Sequence, residues 1–287
     1  MKRRMFITGA LALGLSGRRA AAWDTAPASL SDIERTLDAR IGVFARNCST
    51  GKCFQHRAEE RFAMCSTFKA SLAALCLRQA ERGLMDLDQR LKFGPSDVLP
   101  TSFVTGKYSG SKGLPIRTLC EAAVEHSDNT AANLLLARVG GPSAVTRFFR
   151  EIGDETTRLD RIEMALNANE PGDPRDTTTP QAMAESLARL TLSASVLERG
   201  SRDQLIGWMR NEQNAKDRIR AAVPRDWIVA NKPGTTPNGA ANDIATLWAP
   251  DGTPFVVTVY IDTRMNDVQP AIQAVHSVAQ MALGEVL

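Results

Sequence analysis

The stretch Asp226–Trp248, DWIVANKPGTTPNGAANDIATLW, decides the fold. Lys232-Pro233-Gly234 ordinarily reads as a turn. Yet DWIVA runs into it as a strand, and NDIATLWAP follows it as another. The two flanks make a hairpin only if Pro233 is tolerated within a strand, which restricts it to a position whose N–H feeds no ladder.

Working outward, PFVVTVYID reads as a further strand, and QPAIQAVHSVAQMALGEVL as a closing helix. At the other end, SLSDIERTLDAR (Ser29–Arg40) predicts a helix capped by Ser31, with Ile33 and Leu37 on one face. IGVFARN and KCFQHR predict two strands around a Thr50-Gly51 turn. From Ser66 to about Trp208, helical patterns such as FKASLAALCLRQAERG, IRTLCEAAVEHS and NTAANLLLARVGG alternate with polar loops. Five strands split by a helical insertion predict an α+β fold: one five-stranded antiparallel sheet flanked by the terminal helices, plus an all-helical subdomain. A site is expected between the two parts. The predicted partition is residues 23–62 and 211–287 for the α/β part and 63–210 for the helical part.

With 287 residues, 43% hydrophobic and 23% charged, the chain has an ordinary globular composition. Residues 1–22, MKRRMFITGALALGLSGRRAAA, have a basic start, a short apolar centre and a small-residue end, which predicts a signal peptide. Arg3-Arg4-Met5-Phe6-Ile7 resembles a twin-arginine signal, so export to the periplasm is expected, with the export machinery as a partner. Without that segment the chain carries 30 bases (35 less five) against 32 acids. The basic balance belongs to the leader, and neither a nucleic-acid surface nor a membrane anchor is expected. A monomer is expected. Cys48 and Cys53, flanking the predicted turn, are candidates for a disulfide. No second pair of ligands accompanies Cys48, Cys53 and His56, so no metal is expected.

Three segments carry candidate chemistry. In MCSTFKASLAALCL, Ser66 and Lys69 stand at i and i+3 at the head of an apolar helix, where backbone N–H groups are unpaired and a nearby amine can take a proton from the hydroxyl. In EHSDNTAANLLL, Ser127 and Asn129 offer a hydroxyl for proton relay and an amide for substrate binding, although Ser-Asp-Asn is also good capping chemistry. In RLDRIEMALNANEPGDPRDTTTP, a long polar loop, Glu163 and Asn167 at i and i+4 can grip one water between them. Arg161 and Asp176 can pair across the base of that loop.

Ser66-x-x-Lys69, Ser127-Asp128-Asn129, Glu163-x-x-x-Asn167 and Lys232-x-Gly234 together resemble class A β-lactamases in order and spacing. The likeness spans nearly the whole chain after residue 22. It implies a serine β-lactamase that opens the β-lactam amide of penicillins and cephalosporins through an acyl-enzyme on Ser66, needs no cofactor, and leaves carbapenems an open question. It implies Ser66, Lys69, Ser127 and Glu163 as catalytic residues and the backbone N–H groups of Ser66 and Thr235 as the oxyanion hole. Asn129, Asn167, Lys232, Gly234, Thr235, Thr236 and Arg218 are the implied substrate-binding residues. A D-Ala-D-Ala peptidase shares the serine, lysine and Lys-x-Gly parts but lacks the Glu163–Asn167 pair. A non-catalytic β-lactam sensor is a second rival, and a pseudoenzyme crippled by Pro233 a third.

The chain departs from the family's pattern in three places. Pro233 replaces the usual Thr or Ser of Lys-Thr-Gly. Since residues i and i+2 of a strand aim their backbone groups the same way, and Thr235 aims its N–H into the cleft, the N–H lost at Pro233 is a cleft-facing one. Arg218, Lys232 and Thr235 then remain to hold a substrate carboxylate. Carbapenem-hydrolysing members often bridge a cysteine at the position of Cys65 to one just past the Lys-Thr-Gly strand, and here the matching position is Thr236. Thr101 stands near where many members carry an aromatic, with Phe103 close by.

Overall fold

Ser29 accepts from the N–H of Asp32, and Asp32 returns the bond, a capping box that starts α1 (Leu30–Thr36) in a computed structural model that describes residues 29–287. The predicted leader, residues 1–22, lies outside the described residues. Chain order then runs β1 (Ala39–Asn47), β2 (Cys53–His56), β3 (Phe62–Ala63), α2 (Phe68–Glu81), β4 (Arg90–Leu91) and β5 (Leu114–Pro115). The helices α3 (Ile116–Glu125), α4 (Asn129–Val139) and α5 (Pro142–Glu151) follow, then β6 (Thr177–Thr178), α6 (Pro180–Thr191) and α7 (Arg199–Arg210). The chain closes with β7 (Ile228–Thr236), β8 (Ala240–Trp248), β9 (Pro254–Thr263) and α8 (Gln269–Val286).

The expected α+β architecture is present. Five strands form one antiparallel sheet in the order β2-β1-β9-β8-β7, so the two ends of the chain meet between β1 and β9. Alternating side chains give the sheet two apolar faces. Ile41, Val43, Val257, Val259 and Ile261 pack with Val275, Val278 and Leu283 of α8. On the opposite side, Ile244 and Tyr260 join the core of the helical part, which is built around α2. Ten consecutive residues of α2, Phe68–Leu77, are buried. A helix apolar all round belongs at the centre of its layer, and this one carries Ser66 on its leading turn into the seam between the two parts.

β7 runs unbroken through Pro233, paired with β8 from Ile228↔Trp248 to Thr236↔Ala240. It is an edge strand. The carbonyl of Pro233 accepts from Lys232 Nζ at 3.1 Å, so that residue's backbone faces the site rather than β8. The proline therefore deletes no ladder bond, as expected.

Some sequence expectations shift. The first helix is capped by Ser29 rather than Ser31 and ends at Thr36 rather than Arg40, because Asp38 takes a left-handed φ of 41° and Ala39 already begins β1. α7, with its polar sequence RGSRDQLIGWMR, gives only a weak apolar pattern. The β1–β2 connection is longer than Thr50-Gly51: Asn47 Oδ1 accepts from the N–H groups of Ser49 and Thr50, and Gly51 N–H bonds the Asn47 carbonyl. Cys53 consequently pairs with Arg46, and Cys48 sits on the diagonal, a separation of about 7–8 Å that exceeds disulfide reach. All five cysteines are free, so the candidate Cys48–Cys53 bridge is not formed.

Candidate active site

A cleft of about 500 Å³ opens where β7, the head of α2, the start of α4 and the 160–176 loop converge. Ser66 lines it from the tight turn Cys65–Thr67, immediately before α2. The turn is held by Thr67 Oγ1 donating to Met64 O at 2.8 Å and by Asn242 Nδ2 donating to Ala63 O at 2.9 Å. Gly234 explains the Lys-x-Gly pattern. A Cβ there would lie 2.7 Å from Met64 O and 3.2 Å from Ser66 N. Only glycine lets β7 approach the Ser66 turn this closely, bringing the amides of Ser66 and Thr235 to one end of the cleft.

Lys69, three residues after Ser66 and in the first turn of α2, is fully buried. Its Nζ donates to Ser127 O at 2.9 Å and to Asn129 Oδ1 at 2.6 Å. The same nitrogen stands 2.9 Å from Glu163 Oε1 in a fully buried ion pair, although the angle there falls short of a hydrogen bond. Burial lowers the Lys69 pKa, and the neighbouring Glu163 carboxylate works against that. Ser127 O and Asn129 Oδ1 thus take two bonds from Nζ, and the Glu163 carboxylate sets a third oxygen close by. Asn167 Nδ2 donates to the other Glu163 oxygen, Oε2, at 2.7 Å. The backbone of Glu163 is clamped on both sides by Asn133, at 2.9 Å to N and 2.9 Å to O.

Asp128 caps α4, accepting from Ala131 N, and also holds the N–H groups of Val104 and Thr105. The Ser-Asp-Asn segment is thus both a helix cap and part of the site. Ser127 precedes the cap with a φ of 56°, placing its carbonyl on Lys69 and its hydroxyl 3.1 Å from Lys232 Nζ. Burial pushes the Lys232 amine down to about 7, with Lys69 and Arg218 adding to the shift and Glu212 and Asp243 opposing it. Asn129 lines the cleft; its Oδ1 accepts from Lys69, and its Nδ2 donates one proton to Pro100 O. Arg218, 5% exposed, donates through Nη1 to Gly234 O and Asn242 O, and through Nη2 to Thr235 Oγ1 at 2.7 Å. Thr236 borders the cleft, but its hydroxyl donates to Asn167 O at 3.0 Å.

The Arg161–Asp176 pair closes the base of the loop, and Asp176 Oδ1 also accepts from the N–H groups of Asp160 and Arg161. Thr101 lines the cleft, and Phe103 is 59% exposed outside it. Every residue expected at the site converges on this one seam. Sequence reasoning missed Asn133, Asn169, Asn238 and Asn242. Of these, Asn133 had a signal, since it lies one helical turn beyond Asn129 on α4.

Residues 28–286 match the model of the β-lactamase enzyme family. The carbapenem-hydrolyzing β-lactamase KPC of Klebsiella oxytoca is 40% identical over 98% of this chain and 96% of its own. The β-lactamase L2 of Stenotrophomonas maltophilia is 44% identical over 83% of this chain and 78% of its own. The solved structure of an ancestral (GNCA) class A β-lactamase superposes with a TM-score of 0.84 at 46% identity, covering 89% of this chain and 97% of that one. The chain is a class A β-lactamase. It is a serine hydrolase that opens β-lactam rings and confers antibiotic resistance. The β-lactamase carries Pro233 where the family's strand has a hydroxyl, and its Arg218 holds the Thr235 hydroxyl at the adjacent cleft position.

Proposed function

We propose that Ser66 is the nucleophile and that Glu163, acting through a water shared with Asn167, is the general base for deacylation. The grip of Asn167 on Glu163 carries this reading: Asn167 Nδ2 donates to Glu163 Oε2 at 2.7 Å, where one water can reach both side chains. Lys69, whose pKa burial lowers and whose Nζ stands 2.9 Å from Glu163 Oε1, takes the Ser66 proton during acylation. The N–H groups of Ser66 and Thr235 take the oxyanion, an arrangement worth about 3 kcal/mol per donor. Ser127, whose hydroxyl lies beside the Lys232 ammonium, delivers the proton to the leaving nitrogen. Lys232 and the Arg218-held hydroxyl of Thr235 receive the substrate carboxylate.

Penicillins and cephalosporins are the proposed substrates. Carbapenems form a further arm of the kinetic panel, since one 40%-identical relative is named for hydrolysing them. We further propose a monomer exported to the periplasm by the twin-arginine route, on the residues Arg3-Arg4-Met5-Phe6-Ile7. The test of mechanism is Glu163→Ala incubated with benzylpenicillin. Intact-mass spectrometry is expected to find one penicilloyl adduct per chain on Ser66, with steady-state turnover down by three or more orders of magnitude, on the order of a lost general base combined with a lost water position. Unimpaired turnover in this variant would reject the assignment.

A further inference from the structure

The proposed catalytic carboxylate is tied to β9, in the middle of the sheet, by a continuous series of hydrogen bonds. Asn167, which holds Glu163 Oε2, has its own carbonyl held twice, by Thr236 Oγ1 at 3.0 Å and by Asn238 Nδ2 at 3.1 Å. The backbone N–H of Asn238 donates back to Thr236 Oγ1 at 3.2 Å. Asn238 O accepts from Asn169 Nδ2 at 2.8 Å, and the same amide nitrogen donates to Asp262 Oδ1 at 2.9 Å. Asp262 belongs to β9, is 5% exposed, and is held through Oδ2 by Arg40 at 3.1 Å and Arg264 at 3.3 Å. Asn169 therefore spends both amide protons joining the loop to the β7–β8 connection and to a buried sheet carboxylate. Its left-handed φ of 49° suits asparagine, but that preference calls for neither side-chain bond.

We propose that Asn169 and Asp262 form a latch, and that Asn169 is a positioning residue for deacylation. The proposal rests on the assignment of Glu163 as the base. The latch fixes Asn167, and so the water between Asn167 and Glu163, after Ser66 has been acylated. It touches neither Ser66 nor the oxyanion donors, so attack on the β-lactam does not depend on it.

Asn169→Asp is the test. It sets a carboxylate against both Asp262 Oδ1 and Asn238 O, and like charges at that distance cannot both stay ionised without cost. At pH 7 deacylation is expected to slow roughly ten- to a hundredfold, the range of an orphaned buried polar contact. Acylation should stay within about threefold of the parent. The acyl-enzyme then accumulates by mass spectrometry, and kcat and KM fall together. Adding Asp262→Asn supplies a donor to the introduced carboxylate and restores turnover at pH 7. If Asn169→Asp yields no folded protein, Asn169→Ser, which removes the amide donor without adding charge, is read by the same split between acylation and deacylation. Equal loss of acylation and deacylation, deacylation within twofold of the parent, or no recovery with Asp262→Asn would overturn the latch. Failure of the base assignment is read separately, from Glu163→Ala in the unaltered loop.

Discussion

Lys232 shows how a single buried charge ties activity to pH. Burial pushes its amine to about 7, from 10.5 for the free side chain. The native state thus binds fewer protons than the unfolded chain between those values, and the fold gains stability from this group as pH rises from 7 to 10.5. Activity runs the other way. The ammonium beside Ser127 is lost as pH rises through about 7, and with it a charged partner for the substrate carboxylate. The kcat/KM for benzylpenicillin should fall roughly tenfold or more on the alkaline side, the worth of one charge-assisted hydrogen bond. Asp243, raised to about 7 by its own burial, titrates in the same range and is held by Asn231 and by the N–H of Ile219. Lys232→Arg separates the two, because a guanidinium keeps its charge. The alkaline limb should vanish in that variant if Lys232 is its source, and a limb left in place would assign it elsewhere. Pro233 makes this cation matter more, since that residue offers no hydroxyl to share the carboxylate.

At the scale of elements, the site is the meeting of a strand with a helix-leading turn. β7 can lie against Cys65–Thr67 only because Gly234 has no side chain. In Gly234→Ala the new methyl would stand 2.7 Å from Met64 O and 3.2 Å from Ser66 N, so either the strand or the turn must retreat. The amides of Ser66 and Thr235, the proposed oxyanion donors, then separate, and kcat should fall by about two orders of magnitude, the value of one such donor. Circular dichroism should stay unchanged, because the sheet ladder does not pass through that contact. A kcat within fivefold of the parent would mean that the amides are not held by this approach. The 160–176 loop follows the same logic. It has little regular structure, and its shape comes from Asp176 gathering Arg161 and two backbone N–H groups at the base.

Over the whole molecule, two apolar layers share one sheet, and their independence separates stability from catalysis. Ile261, fully buried on the α8 side, faces away from the cleft. Ile261→Ala should lower unfolding free energy by about 2–5 kcal/mol, measured by denaturant titration, while KM for a penicillin stays the same; a changed KM would show that the layers are coupled. The strands at both chain ends, the apolar α2 and the α8 stripe were legible because side-chain periodicity reports burial directly. Ser66, Lys69, Ser127, Glu163 and Lys232 were legible because each lies in a short motif with a chemical reason for its spacing. The ends of α1 and the length of the β1–β2 turn were not, since they depend on a left-handed Asp38 and on the side chain of Asn47. Nor were Asn133, Asn169 and Asn238, because an asparagine in a polar segment has no periodicity, and its partners lie up to 93 residues away. The sequence by itself determined the fold class, which follows from local pattern, and the candidate reacting groups, whose motifs stand in the family's order and spacing. Only the tertiary structure decided how the groups are held: which oxygens surround Lys69, that Arg218 restrains Thr235, that Thr236 serves the loop, and that Asn169 reaches Asp262. Those contacts join residues distant in the chain, and distance through space is set by packing rather than by spacing along the sequence.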